Sequence, residues 1–190
     1  MADTFSESFN HGLGALNHTW GNVDTSIAGQ VTVSGSSSGI MEHPSGAAAG
    51  HGYGEYSFTL SMSGDAQGPA ALLWPGNDKW PGPEFDVAEF IDGHVYGTVH
   101  SAGHDGGDQY ECVTYDGINA SDKHTYTLDW EPGKITFGVD GHTYGSVGDN
   151  VGADFAHGGV NEVIGVNNMD SDTSITLYEV SYTPSDHLWA

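Results

Sequence analysis

Tyr56, Phe58, Leu60 and Met62 alternate with polar residues. A period of two places all four on one face of an extended strand. The same alternation returns at residues 30–34, 95–100, 124–130 and 134–139. No long stretch carries the 3.6-residue period of an amphipathic helix. The 29 glycines and the pairs Asp92-Gly93 and Asp140-Gly141 punctuate these runs as turns. A chain of 190 residues patterned this way is one domain of many short antiparallel strands, a sandwich or a barrel. Residues 1–184 make up that domain, and 185–190 read as a tail. Residues 3–9, 70–74, 110–115, 160–168 and 174–182 supply further strands, with Phe5 and Phe9 turned inward and residues 16–20 packed over one end.

One strand differs from the rest. Residues 80–90 read Trp-Pro-Gly-Pro-Glu-Phe-Asp-Val-Ala-Glu-Phe, with three acids within six positions. Glu84 and Asp86 share a face, while Phe85 and Val87 point to the core. Glu89 falls on the wrong face of a regular strand. One extra residue in a β-bulge near Val87-Ala88 brings it back. Three carboxylates on one face repel, so the cluster holds a proton most easily when partly buried. A protonated acid beside an ionised partner is the arrangement that glycoside hydrolysis uses. A solvated acidic strand edge or a calcium-binding face would carry the same residues. The paired strand 95–100 places Tyr96, Thr98 and His100 on one face, with Tyr96 and His100 flanking the acids.

These residues resemble a known family. Glu84-Phe85-Asp86-Val87-Ala88-Glu89 is similar to the Glu-x-Asp-x-x-Glu signature of glycoside hydrolase family 16, in its bulged, laminarinase-like form. The stretches 52–58, 68–75 and 124–130, followed by Val139-Asp140-Gly141, resemble further family motifs in the family's order. The resemblance implies an all-β, concanavalin-like β-jelly-roll sandwich of two antiparallel sheets with an open cleft. It implies a secreted, retaining endo-β-glycosidase, with Glu84 as nucleophile, Glu89 as general acid/base and Asp86 between them. Its substrate would be a β-1,3- or mixed-linkage β-1,3-1,4-glucan. Asn167 resembles a cleft-lining asparagine, and His100 a histidine of the adjacent strand. The family's tryptophan stands where this chain has Leu72; Trp74, two residues on, keeps the same face. Trp74 and Trp80 are the candidate stacking platforms, since aromatic faces suit the apolar faces of sugars. A non-catalytic glycan-binding module and a transglycosylase fit the same fold.

Charge narrows the partners. Asp and Glu number 26 against three lysines and no arginine, a formal net charge of -23. Nucleic-acid binding draws on Lys and Arg and is excluded on that ground. Anionic polysaccharides are repelled over a Debye length of roughly 8–10 Å. A neutral polysaccharide remains, handled by a monomer. No apolar run approaches the roughly 20 residues of a membrane span. No signal peptide is legible in residues 1–20. The single Cys112 makes no internal disulfide and reads as a buried, inert strand thiol. The spacings of His94, His100 and His104 match no zinc signature. No metal or other cofactor is expected, save that relatives use an Asp of the closing strand for a structural calcium. Residues 175–179 here, Ile-Thr-Leu-Tyr-Glu, lack it. Asn17-His18-Thr19 and Asn119-Ala120-Ser121 match the glycosylation sequon, a short and weak signal.

Overall fold

A computed structural model describes residues 4–185. Its strands are β1 Phe5–Glu7, β2 His18–Asp24, β3 Val31–Met41, β4 Gly54–Ser63, β5 Pro69–Pro75, β6 Glu84–Ile91 and β7 His94–Ala102. They continue with β8 Asp108–Thr114, β9 His124–Glu131, β10 Lys134–Val139, β11 His142–Val147, β12 Glu162–Asn168 and β13 Ser174–Pro184. The helical element among the described residues is a single 3-10 turn, Phe155–His157. No described helix is long and apolar enough to cross a membrane.

All pairings between the strands are antiparallel, in the order β11-β10-β9-β4-β13-β3-β12-β5-β6-β7-β8, with β1 on β13 and β2 on β3. The ribbon folds over on itself. Phe85 of β6 meets Trp130 of β9 ring to ring at 5.1 Å, and Tyr115, just past β8, meets Tyr126 at 5.7 Å and Phe137 at 6.4 Å. The two halves therefore face each other across one core as the jelly-roll sandwich that the resemblance implies. Tyr56, Phe58, Leu60 and Met62 are all buried in it. Each large side chain removed from water there contributes roughly 1.5–3 kcal/mol. Polar ends inside the core are satisfied: the Trp130 indole N–H donates to the Gly152 carbonyl, and Tyr56 Oη donates to that of Gly52.

The hairpin pairs adopt the geometry their residues allow. Asp92 and Gly93 have φ of 48° and 84°, and Asp140 and Gly141 have 50° and 79°. Both central residues lie in the left-handed region, as the tight turn between twisted strands requires.

Several boundaries differ from the sequence reading: the strand expected over 30–34 runs on to Met41, and residues 16–20, expected to pack over one end, lead into β2, which pairs with it. The first strand stops at Glu7 because the Glu7 carboxylate accepts from the amides of Ser8 and Phe9 and turns the chain. Phe9 still reaches the core, while Phe5 is half-buried. The strand expected from 160 begins at Glu162, because the amides of Val160 and Asn161 bond to the Ala153 and Ala47 carbonyls in loops. The end of the expected 185–190 tail, residues 186–190, lies outside the described residues; the Ser185 amide donates to the Tyr53 carbonyl.

Candidate active site

The bulge is in β6. Ala88 pairs with Ala71 and Asp86 with Leu72, so Val87 has no partner in β5. Across β7 the register jumps between Asp86, opposite Thr98, and Glu89, opposite Tyr96. Phe85, Val87, Ala88 and Phe90 all enter the core. Glu84, Asp86 and Glu89 are left together on the other face, where they line one cavity of about 420 Å³. Trp80, His100, Asn167, Gln67 and Met169 share that lining.

His100 organises the charge. Its Nε2 lies 3.1 Å from Asp86 Oδ2, and its Nδ1 lies 3.1 Å from both carboxylate oxygens of Asp108 on β8. A ring facing a carboxylate at each nitrogen donates from both. Burial works against that charge, but the Asp86 hydrogen bond and the surrounding carboxylates win and raise His100 to about 9. Asp86, fully enclosed, is raised above its ordinary value by burial, with His100 opposing. Burial, followed by the charge of Asp86, pushes Glu84 up to about 8 and Glu89 up to about 7. Thr98 Oγ1 donates to Glu89 Oε2 at 3.3 Å. The cluster thus carries acids that hold protons near neutral pH beside a cation that keeps one of them ionised.

The two tryptophans expected as platforms both lie along the cleft. Trp80 is 46% exposed at the cavity rim, and Trp74 stacks on it at 5.7 Å with only 15° between the rings. Trp74 lines an adjoining cavity with Leu72, Trp20 and Asn167, so the two-residue shift from Leu72 does keep the face. Its indole N–H donates to Asp78. Tyr96 pairs opposite Glu89, yet it is not part of the cavity lining; its ring neighbours His94 at 6.3 Å. Trp130 is wholly buried, as expected of a core residue.

Cys112 corrects the sequence reading. It is exposed, on the face of β8 that looks towards Glu89, and its Sγ lies 3.5 Å from Thr98 Oγ1. The alternation of β8 was legible, but β8 closes the end of the strand order and its residues 108–112 are exposed on both faces among the described residues. Gln67, Thr98, Asp108 and Met169 also went unremarked as site residues. Thr98 had a signal in the alternation with His100; Asp108 and Met169 come from other strand ends and had none.

His94 and His104 stand at opposite ends of β7, separated by the length of a nine-residue strand, and do not converge with His100. Asp86, Glu89 and His100 each offer a ligand atom within 4.8 Å of the others. His100 directs its two ring nitrogens at Asp86 and Asp108.

A family model described as glycosyl hydrolases family 16 matches residues 18–175. The chain belongs to this family. No curated protein matches it by sequence. Solved structures of family 16 type share the fold of this hydrolase at low identity. A prokaryotic β-1,3-1,4-glucanase (lichenase) from a mouse hindgut metagenome superposes with a TM-score of 0.71 at 16% identity, covering 96% of this chain and 99% of that one. The β-glucanase of Bacillus licheniformis gives 0.68 at 18%, covering 97% and 99%. The laminarinase catalytic domain of Thermotoga maritima MSB8 gives 0.64 at 13%, covering 95% and 97%.

Proposed function

We propose that this glycosidase is a retaining endo-β-glycosidase acting on a neutral β-1,3- or mixed-linkage β-glucan. The observation that carries the reading is the bulge, which sets Glu84 and Glu89 on one face of one strand with Asp86 between them. Retention needs two carboxyl groups only about 5–5.5 Å apart, and neighbours on one strand face suit that spacing better than the wider gap of inversion.

In this mechanism Glu84 attacks the anomeric carbon and forms a glycosyl ester. The bond to the leaving oxygen breaks as Glu89 gives that oxygen a proton. Water then enters; Glu89 takes its proton, the new C–O bond forms, and Glu84 is released as a carboxylate. Asp86, held by His100, supplies a fixed negative charge beside the nucleophile. Burial and mutual repulsion raise both Glu84 and Glu89, so the trio shares its protons near neutral pH and the pH profile belongs to the trio as a unit.

The neutral substrate follows from charge. The chain carries 26 acids against three lysines, and a sulfated or carboxylated polymer meets repulsion on approach. The polymer is too large to be imported intact, so we place the enzyme outside the cell, working as a monomer. No calcium or other cofactor takes part in the proposed chemistry.

The test is mass spectrometry of products after incubation with neutral and acidic polysaccharides, with Glu84→Gln as control. Oligosaccharides from a neutral β-glucan, absent with the variant, establish the reading. Binding without any product moves the assignment to a glycan-binding module.

A further inference from the structure

The cleft does not end at Glu89. A further cavity of about 320 Å³ opens beside it and shares Gln67, Glu89 and His100 with the central one. Strand order fixes its direction. The Trp74 cavity takes residues of β2, β3, β5 and β12; the central cavity takes β5, β6, β7 and β12; the outer one takes β6, β7 and β8. Three cavities therefore run in line across the strands, from Trp20 and Trp74 at one end to β8 at the other.

Tyr110 stands at the β8 end. It is 70% exposed in mid-strand, with its ring 5.8 Å from that of His100. Trp74, Trp80, His100 and Tyr110 form a chain of rings with successive centroids 5.7, 5.4 and 5.8 Å apart. Tyr110 lines the outer cavity with Ile91 and Cys112, an apolar patch beside a proton-bearing carboxyl. An aromatic face left in water this way gains most from a partner that is apolar on one side and hydroxylated at its edge, which is the chemistry of a neutral pyranose.

We infer that Tyr110, with Ile91 and Cys112, forms the subsite for the leaving-group sugar. The inference rests on the assignment of Glu89 as the acid. The acid protonates the leaving oxygen, so the departing sugar lies on Glu89's side of the scissile bond. The outer cavity on the β8 side is lined by Glu89 and not by Glu84, whereas Glu84 shares the central cavity with Trp80, so the departing sugar lies towards β8 and the sugar attached to Glu84 towards Trp80 and Trp74. A subsite beyond the point of cleavage lets the polymer run through the cleft and explains internal attack. Asp108, which lines the same cavity, keeps that subsite for uncharged sugars.

The experiment compares two substrates. One is a soluble neutral β-glucan. The other is a β-oligoglucosyl fluoride, whose leaving group occupies no sugar subsite. Tyr110→Ala is expected to lower kcat/KM on the polymer about tenfold more than on the fluoride, the scale of one lost aromatic–sugar contact. Tyr110→Phe keeps the ring and is expected to stay near wild type on both. Equal losses on the two substrates, or no loss on the polymer, overturn the subsite. Cys112, the only cysteine, gives a second readout in the unaltered protein. Neutral oligosaccharide should slow its reaction with a maleimide, and an unchanged rate at saturating sugar counts against the subsite. The two readings fail differently. A wild type inert to both substrates overturns the hydrolase and this subsite with it, whereas an active wild type indifferent to Tyr110→Ala overturns the subsite alone.

Discussion

Tyr115 Oη donates a 2.7 Å hydrogen bond to the carbonyl of Val87, the residue that the bulge leaves without a partner in β5. The bulge frees a buried carbonyl, and the phenol satisfies it. The path to it exists because Gly97 has no side chain: a Cβ there would lie 2.6 Å from Tyr115 Oη and 2.4 Å from Phe137. Glycine and tyrosine together hold the distortion that lines up the three acids. Tyr115→Phe should cost about 1–3 kcal/mol of stability, the penalty of an orphaned buried acceptor. It should also lower kcat, because Glu89 loses its fixed position relative to Glu84. Thermal melts and steady-state rates check this. A variant less stable but with unchanged kcat would show that the bulge holds without the phenol.

The two glutamates separate by leaving group. Glu89→Gln removes a proton donor, which is worth roughly 10²–10⁴ in rate on a polymer. A leaving group that departs as a stable anion needs no proton, so an activated aryl glycoside should recover much of that loss in the first step. Glu84→Gln removes the nucleophile, and no leaving group recovers it. Rates on the two substrate types decide the assignment. Recovery in the Glu84 variant instead would exchange the two roles.

His100 should respond to Asp108 from the adjacent strand. Asp108 accepts from Nδ1 at 3.1 Å and helps keep the ring protonated. Asp108→Asn should bring the titration of His100 down from about 9 towards the ordinary value of about 6.5, read by NMR of the ring. The sign for stability follows from a raised folded pKa. The contribution is complete below the unfolded value near 6.5 and is lost as pH rises through about 9. Wild type should therefore lose stability relative to Asp108→Asn across that window. A His100 titration unmoved by the substitution would leave Asp86 as the sole support of the imidazolium.

Most strands and the bulge were legible in sequence because both are written as period and its interruption; β2 and the second half of β3, rich in Gly and Ser, carry no such period and were missed. Phe85, Val87, Ala88 and Phe90 name the core face, and the displaced Glu89 names the bulge. What supports the bulge was not legible. Tyr115 lies 28 residues from Val87, and only the pairing of β6, β7 and β8 brings it there. The reading of Cys112 failed for a related reason. Alternation says which face a residue takes, and the place of its strand in the order says whether that face is covered.

Glu162 carries the clearest pH signature outside the cleft. It is wholly buried at the start of β12, and neither carboxylate oxygen has a hydrogen-bond partner among the described residues. Burial, then the charge of Glu84, raises its pKa well above the ordinary value. The folded protein keeps this proton while the unfolded chain loses it above about 4.5. Stability from this site is therefore complete below that pH and falls as pH rises, by about 1.4 kcal/mol per unit, until the folded group ionises. Glu162→Gln keeps the shape and removes the proton linkage. Its melting temperature should gain on wild type as pH rises above 4.5, with little difference at pH 4. Melts of both proteins across that range check the slope. A difference that stays constant with pH would mean that Glu162 does not hold its proton in the folded protein.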